Sequence, residues 1–294
     1  MKIVNREHID SVKWDKRLKE CDIENIFQYS WYLDNCAENW SAVITDDYKT
    51  ILPLPFTKKL GVKRLYPAPF TREYDIIGDD FSWAEVLPLI QKEFAHLSFR
   101  SEKSGLLDQE TIRSHQYLTL ENEFEKKFKT NAKRLIKKGQ KQFTFRAGLD
   151  PSLLINLFEE HVAHKIDSVK KEDLIILTAL MNTALKNEHG ELILAYDENQ
   201  ALVAGGFFLK DKKRITYLKG AAAEEAKKKG VMYALFDEAF QRFQGTYKTL
   251  DFGGSDIENV ATFYRKFGAS DRNYYHYELD QTPIWFRTLR KLKK

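Results

Sequence analysis

The sequence is poor in several features that would place it quickly. It holds only two cysteines in 294 residues, Cys21 and Cys36. They show no CxxC or other metal-ligand spacing, and two isolated thiols without a secretory leader argue for reduced side chains rather than a disulfide. The first ten residues, MKIVNREHID, are charged and lack the apolar run of a signal peptide. No stretch approaches the roughly 18 apolar residues needed to span a bilayer. A soluble, cytoplasmic protein with no transmembrane segment is expected. There is no short repeat, low-complexity tract or Gly/Ser linker, and no GxSxG, P-loop or Rossmann fingerprint. His161 and His164 stand three apart on an expected helix, but no carboxylate or cysteine completes a set, so no metal is expected. The net charge of +4 is too small for a global field that would steer nucleic acid.

What is present is globular. Hydrophobic residues make up 43% of the chain and charged residues 31%, a balance that buries a core rather than staying disordered. Twenty Phe and 14 Tyr supply that core and leave enough aromatics to line a cleft. The length suits two ordinary domains. The pattern divides near Asp150–Pro151, which gives domains of 1–149 and 150–294.

In the first half, Trp40–Thr45 and Thr50–Phe56 read as neighbouring strands joined by a turn at Asp46–Asp47. Leu65–Thr71 follows a turn at Gly61 as an irregular aromatic edge. Trp83–Ala95 has helical spacing, with Val86, Leu87, Ile90 and Phe94 on one face. Phe99–Ser101 and Gln116–Leu120 read as further strands. Asn122–Lys138 reads as a basic amphipathic helix stopped by Gly139, followed by a short strand at Phe143–Ala147.

The second half is cleaner. Asp150-Pro151-Ser152 starts a helix that runs to about His164, and a second covers about Lys171–Asn187. Strands follow at Glu191–Asp197, Ala201–Lys210 and Arg214–Ala221. A helix from Gly230 to Phe243, a strand at Thr249–Phe252, a helix at Asn259–Phe267 and a strand at Tyr274–Leu279 complete an α-α-β-β-β-α-β-α-β order. The fold class is α/β (α+β), with mixed twisted sheets flanked by helices. Trp285–Lys294 reads as a basic amphipathic tail, a docked helix with a frayed end.

Some residues carry chemistry in this arrangement. Asp251, Gly253, Gly254 and Ser255 fall where a strand ends and the chain swings into a loop, the usual place for a ligand in an open sheet. The glycines allow close approach, while Asp251 either caps the turn or takes up a proton. Lys219 on a central strand is costly unless it meets water or an anion. Lys126, Lys127, Lys129, Lys133, Arg134, Lys137, Lys138 and Lys141 form either a solvated helix face or a phosphate-contacting surface.

Several segments resemble a known family. They are Tyr217-Leu218-Lys219-Gly220-Ala221, Tyr233-Ala234-Leu235-Phe236, Leu250-Asp251-Phe252-Gly253-Gly254 and Phe263-Tyr264-Arg265-Lys266-Phe267-Gly268-Ala269. In order and spacing they resemble the FemABX-type branch of the GNAT (acyl-CoA N-acyltransferase-like) superfamily. The resemblance implies a tandem GNAT fold, with a degenerate first domain and a better preserved second one. It implies acyl transfer to a small-molecule or peptide amine, from acetyl-CoA or another acyl-CoA, or from aminoacyl-tRNA held by Lys126–Lys141. Lys227, Lys229, Gly230, Val231 and Met232 match the family's phosphate-binding turn, although Met232 stands where a small residue is usual. Asp251 and Tyr264 match as proton acceptor and donor. Lys219, Gly253, Gly254 and Ser255 would face substrate, and Arg72 and Tyr74 would do so from the first domain. A GNAT-fold ligand-binding protein without catalysis is the alternative.

Overall fold

The computed structural model describes residues 1–21, 25–163, 170–253 and 257–291. In chain order it contains β1 (Lys2–Asn5), α1 (Ser11–Glu20), α2 (Ser30–Cys36), β2 (Asn39–Ile44), β3 (Ile51–Lys59), β4 (Val62–Leu65), α3 (Trp83–Glu93), β5 (His96–Ser101) and β6 (Glu110–Thr119). There follow α4 (Thr130–Gln140), β7 (Thr144–Gly148), α5 (Ser152–His161), α6 (Lys171–Lys186), β8 (Gly190–Tyr196), β9 (Leu202–Lys210) and β10 (Arg214–Ala222). The chain continues with α7 (Glu224–Lys228), α8 (Val231–Phe243), β11 (Thr249–Asp251), α9 (Glu258–Arg265), β12 (Ser270–Asp280) and α10 (Ile284–Lys291).

These elements form two compact units. Unit 1 combines Met1–Arg113 with Asn273–Lys294, and unit 2 is Ser114–Arg272. Set beside the division expected near Asp150, α4 and β7 therefore belong with the elements that follow them.

The same connectivity occurs twice. Unit 1 has the strand order β1-β2-β3-β4-β5-β12, and unit 2 has β7-β8-β9-β10-β11-β6. In each, the first four strands are antiparallel neighbours. The fifth runs parallel to the fourth and the sixth antiparallel to the fifth. Each sheet takes its sixth strand from the other half of the chain. Two helices connect the first and second strands of each unit, and a helix crosses over between the parallel fourth and fifth, as parallel pairing requires.

Local chemistry explains the helix boundaries. The Asp10 carboxylate accepts from the N–H groups of Val12 and Lys13 and starts α1, which buries Trp14 and Leu18. Ser82 and Glu85 form a reciprocal cap at the start of α3.

The helix expected over Asn122–Lys138 is instead broken. Phe124–Lys127 is a 3-10 turn, and Phe128 and Lys129 are extended before α4 begins. The break sends both phenylalanines into one aromatic core, Phe124 against Phe240 and Phe128 against Phe267. It also aligns the Lys129 N–H with the Lys266 carbonyl at 2.9 Å. Gly139 does not stop the helix. It lies in the last turn of α4, where a Cβ would come within 2.7 Å of Ala234 Cβ, so the glycine lets α4 and α8 pack closely.

Unit 2's sheet is covered on both faces. Leu235 and Phe236 of α8 meet one face at Gly206 and Tyr217, beside Phe208, Phe240, Phe252 and Phe267. On the other face, Leu154 of α5 lies over Gly205, and the backbone of α6 at Ala184–Leu185 lies beside Phe207 and Gly190. Burying each large aromatic side chain contributes roughly 1.5–3 kcal/mol.

Candidate functional site

In unit 2 the parallel pairing of β10 and β11 covers only Arg214–Thr216 against Thr249–Asp251. β10 continues to Ala222, and over that stretch its strand neighbour is β9 alone. The sheet therefore splays where β11 ends. An irregularity sits in the splayed part: Tyr217 pairs with Phe208 and Lys219 with Phe207, which leaves Leu218 as a bulge. Two residues apart on a regular strand, Tyr217 and Lys219 would share a face. The bulge instead turns Tyr217 toward Phe236 of α8, with ring centroids 4.8 Å apart. It turns Lys219 toward α5, where Nζ lies 3.5 Å from the Phe158 ring centroid. Burial lowers the Lys219 pKa from its ordinary 10.5 to about 8.

Asp251 ends β11 on the α5 face, in register with Thr216 and Tyr117. Its Oδ1 lies 3.3 Å from His115 Nδ1 and accepts the Gly253 N–H at 2.9 Å. Arg214 Nη1 lies 3.9 Å from Oδ2, while Arg214 Nε donates to Asp211 at 3.2 Å. Gly253 has φ +80°, and a Cβ there would come within 2.5 Å of the Tyr217 carbonyl oxygen, so only glycine lets the loop pass the mouth of the splay. The Thr216 hydroxyl beside this group is buried and has no hydrogen-bond partner among the described residues.

Tyr264 lies across the sheet in the α8 aromatic cluster, stacked on Phe252 at 4.4 Å. Burial first, and the Asp251 charge second, raise its pKa well above that of a free phenol, so it keeps its proton. Acidic and basic groups are thus separated by the sheet: Asp251, His115 and Lys219 on the α5 face, Tyr264 on the α8 face.

The expected phosphate turn is more structured than a loop. Lys227 and Lys228 lie in α7 and pair with Glu224 and Glu225 at 3.0 and 2.6 Å. Lys229 is exposed. Gly230 has φ +91° and starts α8 without a side-chain cap. Val231 is buried in the first turn, and Met232 lies inside the helix against the core. The Leu135 carbonyl of α4 sits 2.7 Å from where a Gly230 Cβ would be, and Lys138 Nζ donates to the Lys228 carbonyl at 3.3 Å. Ala132 and Ile136 seat α4, leaving Lys129, Lys133, Arg134, Lys137 and Lys138 exposed, and of these Lys138 reaches the chain just before this helix start.

Arg72 is buried in unit 1, paired with the adjacent Glu73 and lying over the Phe27 ring at 5.6 Å. Tyr74 is buried beside it and donates to Thr71 Oγ1 at 3.2 Å. Gly254 and Ser255, like His164, lie outside the described residues. His115, Arg214 and Thr216 are additions that sequence reasoning missed. Among the described residues no group of side chains is arranged to hold a metal ion, and no helix is long and apolar enough to cross a membrane.

Comparison with known proteins fits this geometry. Residues 126–265 match the family model described as an acetyltransferase (GNAT) domain. A crystal structure of FemX superposes with a TM-score of 0.70 at 13% identity, over 96% of this chain and 98% of that one. L-PGS from Bacillus licheniformis gives 0.59 at 14% identity, over 96% and 95%. A tandem GNAT protein from the clavulanic acid biosynthesis pathway gives 0.53 at 10% identity, over 96% and 99%. Comparison with curated proteins finds no match. At these identities the likenesses concern the fold, which is that of tandem GNAT proteins.

Proposed function

We propose that this chain, whose residues 126–265 match the model of an acetyltransferase (GNAT) domain, transfers an acyl or aminoacyl group from an activated donor to an amine. The observation that carries this reading is the splay of β10 from β11 with proton-handling groups divided between its two faces. A donor carbonyl laid along the free edge of β10 meets strand N–H groups that polarise it. The amine nitrogen approaches from the α5 face and attacks the carbonyl carbon. A C–N bond forms while the C–S bond of a thioester, or the C–O bond of an aminoacyl ester, breaks. The nitrogen's proton passes to the His115–Asp251 pair, and the Tyr264 phenol protonates the departing thiolate or alkoxide on the α8 face. Most of the rate comes from holding the reactants in line.

The donor's phosphates belong at the uncapped start of α8, where backbone N–H groups and the helix dipole favour an anion. Two features favour aminoacyl-tRNA over a CoA ester there. The Leu135 carbonyl occupies the space a side chain at Gly230 would need, and two lysines of the turn are held by their own glutamates, leaving little for a compact diphosphate. The exposed cations of α4 offer an extended surface beside it, suited to a nucleic-acid backbone.

Titration calorimetry with acetyl-CoA and filter binding with aminoacyl-tRNA test the proposal. Binding of either donor, weakened by Gly230→Glu, followed by amide product with an amine mixture, supports it. Binding of neither overturns it. An aminoacyl-tRNA affinity that does not fall with salt would reject that donor.

A further inference from the structure

Among the described residues of the splay, Lys219 is a charged side chain that the fold does not pair. On its own strand, Arg214 is engaged by Asp211 and lies near Asp251. Lys219 itself has only the Phe158 ring, and among the described residues no carboxylate lies within ion-pair distance. A cation–π contact recovers only part of what desolvating this half-buried ammonium costs. A methionine or leucine would fill the same space without that cost. The bulge at Leu218 adds to the argument, since it places this lysine on the α5 face rather than in the aromatic core under α8.

The face decides which reactant the charge meets. Phosphates held at the start of α8 belong to the opposite side of the sheet, the face that α8 covers through Phe236 and Tyr217. An anion at Lys219 therefore belongs to the molecule arriving on the α5 face, where His115 and Asp251 stand ready for the amine's proton. We propose that the acceptor is an anionic amine, carrying a carboxylate or phosphate group that pairs with Lys219 as its nitrogen enters the splay. The assignment of this anion to the acceptor rests on the transfer reading; the anion subsite itself does not. The subsite makes Lys219 a specificity-determining residue: a neutral amine of equal size leaves the ammonium unpaired and binds less well.

The test uses the full chain labelled with 13C at lysine Cε, with the Lys219 resonance identified by its loss in Lys219→Met. Its titration midpoint is followed in buffer alone, with inorganic phosphate, with acetate, and with methylamine as the neutral-group control. A midpoint raised by phosphate or acetate, but not by methylamine, is expected, and whichever anion acts names the group. Affinity for that anion should fall about tenfold or more in Lys219→Met, the loss of one charge-assisted contact, and Lys219→Arg should recover part of it. A midpoint unmoved by both anions, or an anion affinity unchanged in Lys219→Met, overturns the proposal. Donor binding measured on the same proteins separates the two ideas: a responsive Lys219 with no donor bound leaves the anion subsite standing and removes the transferase.

Discussion

His115 and Asp251 meet across β6 and β11, Nδ1 to Oδ1 at 3.3 Å, with side-chain exposures of 3% and 1%. Tyr117 is the register partner of Asp251, so His115 stands two residues along on the same face. A carboxylate there orients the imidazole. Asp251→Asn keeps the shape and an acceptor for the Gly253 N–H but removes the charge. Transfer should slow by about 10²–10⁴-fold, the usual worth of a general base, with the circular dichroism unchanged. His115→Gln should cost as much, and the double variant little more than either. Full activity in Asp251→Asn would leave the pair only an architectural role.

The Lys219 charge also leaves a signature in stability. Its folded pKa lies near 8 against 10.5 for the free side chain. Below pH 8 both states carry the charge, and the folded chain bears the whole desolvation cost. Between pH 8 and 10.5 the unfolded lysine holds a proton that the folded one has lost, so stability rises with pH. Lys219→Met should therefore be more stable than the parent at pH 7, by on the order of 2 kcal/mol after allowing for solvent screening. Urea titrations should show that advantage shrinking to nothing by pH 10.5.

The contact of α4 with α8 depends on two glycines. A Cβ on Gly139 would come within 2.7 Å of Ala234 Cβ and 2.8 Å of the Gly230 carbonyl, and neither is a flexible end. Gly139→Val should lower stability by about 1–3 kcal/mol through overpacking, read as a lower melting temperature. On the surface of the same helix, Lys133→Gln with Lys137→Gln should leave melting unchanged. For an RNA donor it should flatten the slope of log K against log salt by roughly 0.7 per cation removed.

The two thiols should report separately. Cys36 is buried, and burial pushes its pKa up, which suppresses the reactive thiolate. Cys21 on the surface side of unit 1 is partly exposed. With a chromogenic disulfide reagent at pH 8, Cys21 should react promptly and Cys36 only as the protein unfolds. Prompt reaction of both would contradict the packing of α2.

Much of unit 2 was legible because its signals are local. Asp150 accepts the Ser152 N–H at 2.9 Å, as the Asp-Pro-Ser start of α5 suggested, and β8 to β10 follow their apolar patterns closely. Asp251 and Gly253 could be placed at a strand end for the same reason. His115 could not, since the partner that gives it meaning lies 136 residues away. The face of Lys219 was equally hidden, because strict alternation puts it with Tyr217 and only the bulge separates them. Arg72 was expected to face substrate from the resemblance alone, and no local pattern showed that it pairs with the adjacent Glu73 and that the two are buried together in unit 1. The division near Asp150 followed a local change of pattern, whereas β6 and β12 are assigned to their sheets by pairing across the chain.

That exchange of sixth strands sets a timetable for synthesis. Unit 2 is one continuous stretch, Ser114–Arg272, and can close as soon as its last residues leave the ribosome. Unit 1 cannot, because β5 waits for Tyr275–Asp280 of β12, which are translated only after all of unit 2. At about 5–20 residues per second, the edge of β5 lacks its partner for roughly ten to thirty seconds. In that interval the nascent chain presents one open edge of β5 beside β4, the kind of template that chaperones shield and that neighbouring nascent copies can capture.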